Sequence, residues 1–313
     1  MISLGHGSGG KLTWDLINKI SKKFESVQLT DSALLANKIA FTTDSFVVHP
    51  LFFSGGDIGK LSVCGTINDL SVMGAKPLYL SCALIIEEGF EEEKLQSIID
   101  SMAKTAKEAE VKVVTGDTKV VEKGKADGIF INTSGIGSLT SYEPKKIEEG
   151  DEIIINGEIG QHAIAIMTSR FDLDFEIESD CAPLNGLISS LPLDEVKFMR
   201  DPTRGGIAAT LNEAVEDVGI EIYEEKIPVS EEVRAVCELL GFDPLYLANE
   251  GKVIVIARDG EEIVRAMRKH PLGQKAKIIG KVTEDKGRVF LRSLSGGRRI
   301  VDMPVADQLP RIC

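Results

Sequence analysis

The chain has 313 residues, of which 43% are hydrophobic and 27% charged. That is enough for two domains with real cores, and it excludes general disorder. Asp plus Glu total 49 against 36 Lys plus Arg, a formal charge of −13, which argues against binding a nucleic-acid backbone or an anionic membrane. A nucleotide stays compatible with this balance, because a bound metal inverts the local charge logic.

The longest apolar run, residues 78–86, is far short of the roughly 18 residues of a spanning helix, so no membrane segment is expected. The start of the chain turns polar and glycine-rich by Gly5, unlike a signal peptide. Cys64, Cys82, Cys181, Cys237 and Cys313 are odd in number, widely spaced and without a CxxC pair. That pattern implies free thiols and a cytoplasmic setting.

Residues 1–145 read as an α/β unit. A helix is expected over 11–24, with Leu12, Leu16, Ile17, Ile20 and Phe24 on one face. A short strand over 38–43 ends at Asp44. A second helix over 57–73 has Asp57 as its N-cap and Gly74 just past its end. Residues 78–86 predict a fully buried strand, 91–109 a polar-faced helix, 111–115 a strand ending at Gly116-Asp117, and 129–136 a further strand. A charged, turn-rich linker over 142–151 marks the domain boundary.

The second unit, residues 146–302, repeats the alternation. Strands are expected over 152–156, 252–257, 277–282 and 288–291, with helices over 161–170, 206–218, 231–240 and 261–269. Residues 303–313 carry two prolines and no periodicity, and predict an exposed, mobile tail.

The N-terminal run Gly5-His6-Gly7-Ser8-Gly9-Gly10 satisfies G-x-G-x-x-G, and Lys11 adds a phosphate-loop look. Both motifs need a buried strand before them, and only four residues precede Gly5. A glycine-rich arm folding over a ligand and a plain frayed terminus fit equally well.

The acidic residues say more. Asp69 falls within the apolar stripe of the 57–73 helix and in its last turn, where both burial and the helix dipole penalise an anion. An arginine or a metal ion would compensate it. Asp44 (TTDSF) and Asp117 (TGDTK) close strands, Asp201 (RDPTRGG) precedes a helix, and Asp31 (LTDSAL) sits in a polar turn. Acids gathered at strand ends suit Mg²⁺ with substrate phosphates, and capping of the next helix is the plainer reading of each one.

Thr203 and Arg204 open a helix whose free N–H groups could hold a phosphate. Glu250, in Asn249-Glu250-Gly251-Lys252, and Lys119 are candidates for proton transfer or phosphate contact. His6, His49, His162 and His270 show no metal-ligand spacing. Cys313 ends the chain, idle or a carrier thiol on a flexible arm, with Arg311 near enough to favour the thiolate.

The segments SFVVHPLFFSGGDIGKLSVCGTINDLSVMGAKPLYLS, VTGDTKVV, DPTRGGIAATLNE, NEGK and PRIC together strongly resemble the HypE family of hydrogenase maturation proteins, nearly end to end. The resemblance implies a two-domain α/β fold like that of aminoimidazole ribonucleotide synthetase, with a dimerising N-terminal sheet domain, a C-terminal α/β domain and a flexible tail. It implies ATP and Mg²⁺ held by Asp44, Asp69, Asp117 and Asp201, with Asn68 assisting and Lys11 closing over the nucleotide. Thr203 and Arg204 would add phosphate contacts, and Lys119 and Glu250 would lie near the reacting end of the tail.

By the same resemblance Cys313 would be carbamoylated by the carbamoyltransferase HypF and dehydrated to a thiocyanate. Its cyano group would pass to iron on a HypC–HypD scaffold, and the protein would be a homodimer. A kinase or synthetase of the same superfamily acting on a free small molecule is the alternative. A nicotinamide oxidoreductase and a non-enzymatic scaffold are more distant ones.

Overall fold

A computed structural model describes residues 1–24, 30–215, 217–306 and 309–313. In chain order the first part contains α1 (Gly10–Ser21), β1 (Ala33–Leu35), β2 (Ile39–Phe46), β3 (Phe52–Phe53), β4 (Gly56–Asp57), α2 (Ile58–Val72), β5 (Ala75–Glu87), α3 (Glu92–Glu108), β6 (Lys112–Val121) and β7 (Ile129–Leu139). The rest contains β8 (Glu152–Ile155), α4 (Gln161–Phe171), α5 (Asn185–Ser189), β9 (Val196–Arg200), α6 (Gly206–Ala214), β10 (Gly219–Tyr223), α7 (Glu231–Leu240), β11 (Ile254–Ala257), α8 (Gly260–Met267), β12 (Lys277–Thr283), β13 (Val289–Arg292) and β14 (Arg298–Ile300).

The first sheet has the order β1-β2-β7-β5-β6, with only β5 and β6 parallel. Helix α2 covers one face. It is apolar nearly all round because it is enclosed on all sides. Asp57 caps it as expected, its carboxylate accepting from the Gly59 and Lys60 amides. Gly74 ends it at φ +75°, where a β-carbon would also collide with the Tyr142 ring.

The other face of this sheet is open, with Phe41, Tyr79, Ile85 and Ile136 exposed on it. For that reason β5 alternates between buried and exposed residues, where a fully buried strand was expected.

The second sheet, β14-β13-β10-β12-β8-β11-β9, is antiparallel except for β10 and β13. Strands and helices alternate along the chain as expected, but the sheet they build is mostly antiparallel. Strands β9 and β10 were not anticipated, and α6 stops at Ala214, short of the predicted 218. Residue 216 of that predicted helix lies outside the described residues.

One core joins α2, α3 and the inner face of the first sheet to α4 and α7, and it takes in Leu309 and Ile312 from the chain end. The expected exposed tail is thus corrected: its last residues are packed, although 307–308 lie outside the described residues. The Val47 amide donates to a main-chain carboxylate oxygen of Cys313 (3.1 Å), and the His49 amide to the Arg311 carbonyl (3.1 Å).

No strand precedes the N-terminal glycines; Leu4–Gly7 is a 3-10 turn, which removes the dinucleotide and phosphate-loop readings. At the start of α1, Gly10 (φ +73°) lets the Lys11 amide reach the Pro304 carbonyl at 2.8 Å, and a β-carbon there would come within 2.3 Å of that oxygen. The apolar face predicted for α1 exists but none of it is buried; Trp14, Ile17, Ile20 and Phe24 are all exposed.

Candidate active site

Between the two sheets lies a cleft of about 790 Å³. Its walls include Asp31, Asp44, Asp69, Asp201, Thr203, Arg204, Glu250 and Cys313, and Trp14 and Ile17 of α1 stand at its rim. The acids arrive from separate elements. Asp44 lies inside β2 on the face toward α2. Asp69 points from the last turn of α2. Asp201 follows β9, and Asp31 sits in the turn before β1.

One oxygen from each of Asp31, Asp69 and Asp201 lies within 4.8 Å of the others. Burial raises the pKa of all three, and of Asp44. The neighbouring anions Asp44, Asp201 and Asp31 push Asp69 further up, and Asp201 reaches about 8.

Two partners partly offset this crowding. Arg200 binds Asp31 (2.8 Å) and Glu213 (2.8 Å), and the Thr42 hydroxyl donates to Asp69 Oδ2 at 2.8 Å. Asp201 Oδ2 is buried with no hydrogen-bond partner among the described residues. Carboxylate oxygens that crowd together, one of them buried without a donor, are what a divalent cation would satisfy.

Arg204 lines the same cleft from its exposed side. The negative charge of Cys313 is the main influence raising its pKa, with Asp44, Glu250 and Asp69 adding to it. Its Nη1 donates to the Gly7 carbonyl at 2.9 Å, which ties the glycine-rich segment down over the cleft.

Glu250 is 3% exposed, and its pKa is pushed well up by burial and then by the charges at Cys181, Asp201, Asp180 and Asp44. Its position is set by Asp180, whose oxygens accept from the Glu250 and Gly251 amides (both 3.3 Å) and from Lys252 Nζ (2.8 Å). Burial alone would raise the Asp180 carboxyl, but Lys252 and these backbone donors outweigh it and hold it below the usual range.

The Asp180–Lys252 pair is buried, with side chains 2% and 9% exposed. Asp180→Asn therefore strands a buried ammonium and should cost about 3–5 kcal/mol. Denaturant titration would measure this, and an unchanged midpoint would contradict it.

Several expected site residues are placed elsewhere. Asn68 is fully buried; its amide donates to the Ala182 and Glu250 carbonyls (both 3.2 Å), and its Oδ1 accepts from the Leu184 amide (2.8 Å). It braces the Glu250 segment, and both of its N–H donors are committed there. Lys11 is exposed and does not line the cleft.

Asp117 is in the middle of β6, not at a strand end, and pairs with Lys119. Register explains the miss. Asp44 pairs with Thr133, Thr133 with Cys82 and Cys82 with Gly116, while Asp117 pairs with Ala83 one residue on. Asp117 and Lys119 thus point to the open face of the sheet, opposite to Asp44. Among the described residues Asp31, not Asp117, stands beside Asp69 and Asp201. Its signal was a lone acid in a polar turn just before a strand, and Arg200, beside Asp201, gave no signal of its own.

Residues 30–139 match the N-terminal domain of AIR synthase related proteins and residues 148–292 match their C-terminal domain. The two domains are those of that class, and the chain belongs to it. Within the class it belongs to the HypE family. Carbamoyl dehydratase HypE from Cupriavidus necator is 47% identical, over 100% of this chain and 95% of that one. The chain also superposes on HypE from a HypE–HypF complex (TM-score 0.87, 51% identity, 92% of this chain and 99% of that one). It superposes likewise on a HypE solved in complex with ATP (TM-score 0.85, 40% identity, all of both chains).

Proposed function

We infer that the protein is an ATP-dependent dehydratase of its own S-carbamoylated terminal cysteine and supplies the cyanide ligand of iron in hydrogenase maturation. The observation that carries this reading is the position of Cys313, in a cleft walled by Asp31, Asp44, Asp69, Asp201, Arg204 and Glu250. The relative from C. necator bears the name of that activity.

The chemistry follows from the leaving group. An amide oxygen departs poorly, so the γ-phosphoryl of ATP is transferred to the carbamoyl oxygen and the C–O bond then breaks with phosphate as the leaving group. Both N–H protons are lost, and S–C(=O)–NH₂ becomes S–C≡N, with ADP and phosphate released.

Phosphoryl transfer needs positioning and charge neutralisation above all. Asp31, Asp69 and Asp201, with Asp44 beside them, fit Mg²⁺, which when bound would screen the phosphate oxygens. Arg204 and Thr203, just before the start of α6, add phosphate contacts. Glu250 accepts a nitrogen proton, and its raised pKa makes its conjugate base a stronger acceptor. The docked tail and the glycine-rich segment exclude water.

To be loaded, the tail must leave the cleft for a HypF-type carbamoyltransferase, and afterwards it delivers the cyano group to a HypC–HypD type scaffold. The free thiols suit a reducing cytoplasm. Functionally the chain divides into residues 1–145, 146–302 and the carrier tail 303–313.

The open sheet face, with Phe41, Tyr79, Ile85 and Ile136 exposed, is assigned to a homodimer, and Asp117 and Lys119 share that face and meet the second copy. Ile85→Asp should convert the dimer to a monomer in light scattering; an unchanged mass would refute the assignment.

The function itself is tested by ATP turnover. Carbamoylated protein should release about one ADP per chain, and Cys313→Ala none. Equal release from the two would overturn the reading.

A further inference from the structure

The main-chain oxygens of the last three residues are each held, but by different kinds of donor. Those of Arg311 and Cys313 accept from the backbone amides of His49 and Val47, and Arg170 Nη2 adds a bond to Arg311 at 2.9 Å. The Ile312 carbonyl points the other way, into the interior. There His162 Nε2 meets it at 2.8 Å. Backbone amides are available whatever the side chains are, whereas the partner of Ile312 exists only because residue 162 is histidine.

His162 is fully buried in α4, with the edge of its ring against Phe53 (centroids 5.5 Å apart). Its Nδ1 lies 2.8 Å from Ser179 Oγ, which also accepts from the Cys181 amide at 3.0 Å. A carbonyl can only accept, so Nε2 carries the proton. Burial lowers the imidazole pKa and keeps the ring neutral, so Nδ1 accepts and the Ser179 hydroxyl donates to it. The chain of bonds has one direction, from the Cys181 amide through Ser179 and His162 to the peptide that joins Ile312 to Cys313.

We propose that His162, oriented by Ser179, is the positioning residue that latches the tail in the cleft and sets the thiol of Cys313 against the acidic wall. This deepens the reading that cargo on Cys313 reacts there. When the tail is out, the Ile312 carbonyl is hydrated. When it is in, it needs His162 or stays buried without a partner. Losing the latch should therefore lower the docking equilibrium constant about tenfold.

The test is the rate at which iodoacetamide alkylates Cys313, followed by peptide mass mapping without nucleotide or carbamoyl group. His162→Ala should raise that rate about tenfold while the buried Cys64 and Cys181 stay unreacted. His162→Gln keeps an N–H donor for the carbonyl and should restore slow alkylation. If His162→Ala exposes Cys64 and Cys181 as well, Ser179→Ala decides. It keeps the imidazole but removes the bond that selects its tautomer, and should speed Cys313 alone.

A second readout separates positioning from simple destabilisation. In His162→Ala, dehydration of carbamoyl-Cys313 should fall while carbamoylation by the donor enzyme holds or rises. Unchanged alkylation in both variants, or an equal fall in both half-reactions, would overturn the latch. Absence of dehydration in the wild-type protein would defeat the dehydratase reading instead, and alkylation would still judge the latch.

Discussion

Glu250→Gln should bind nucleotide and dock its tail normally, yet dehydrate carbamoyl-Cys313 about 10²–10⁴ times more slowly. The substitution keeps shape and burial. The Asp180 contacts that fix this segment are to backbone amides, so they survive as well. What is removed is, among the described residues, the only group in the cleft wall that is buried, acidic and outside the crowded set of aspartates.

The wild-type rate should rise with pH through a range above that of an ordinary carboxylate, because burial and the surrounding anions keep Glu250 protonated there. The variant should lack that limb. Single-turnover kinetics across pH would measure both. A variant within about threefold of wild type would transfer the proton-accepting role to another group.

Asp201→Asn should act in opposite directions on binding and stability. The native carboxyl titrates at about 8, against 3.8 for an unperturbed aspartate. Between those values the folded state holds a proton that the unfolded state has released, so the stability of the metal-free protein falls as pH rises through that window. Below the window the penalty is absent, and above it the penalty is complete. Asparagine cannot ionise and escapes it. The variant without metal should melt several degrees higher than wild type at pH 8 and match it near pH 4.

With Mg²⁺ and ATP the order should reverse, because wild type gains a bound cation and the variant loses at least tenfold in affinity. Thermal melts at two pH values, with and without Mg²⁺-ATP, would show the crossing. If wild type were the more stable without metal at pH 8, the penalty attributed to the cluster would be wrong.

Local rules served well where one element decides the outcome. The Asp57 cap, the Gly74 stop and the misplaced anion Asp69 all came from α2 alone, and α2 folds as its own pattern dictates. What stayed hidden depends on pairing between elements. Whether Asp44 and Asp117 share a face is a matter of strand parity across two intervening strands, and no single segment contains it.

Asn68 looked like a ligand residue because it neighbours Asp69, yet one residue along a helix turns it by about 100° onto the Glu250 segment. The tail has no periodicity to read. It packs because Leu309 and Ile312 find a core assembled from α2, α4 and α7. His162 was silent for the same reason: its partners lie 17 and 150 residues away in sequence.

The most direct measurement is the intact mass of the carbamoylated chain before and after ATP and Mg²⁺, with the change mapped to Cys313. Loss of one water at that residue, absent without ATP and absent in Glu250→Gln over the same interval, is the expected result. A carbamoyl group that keeps its full mass while ATP is bound would contradict it.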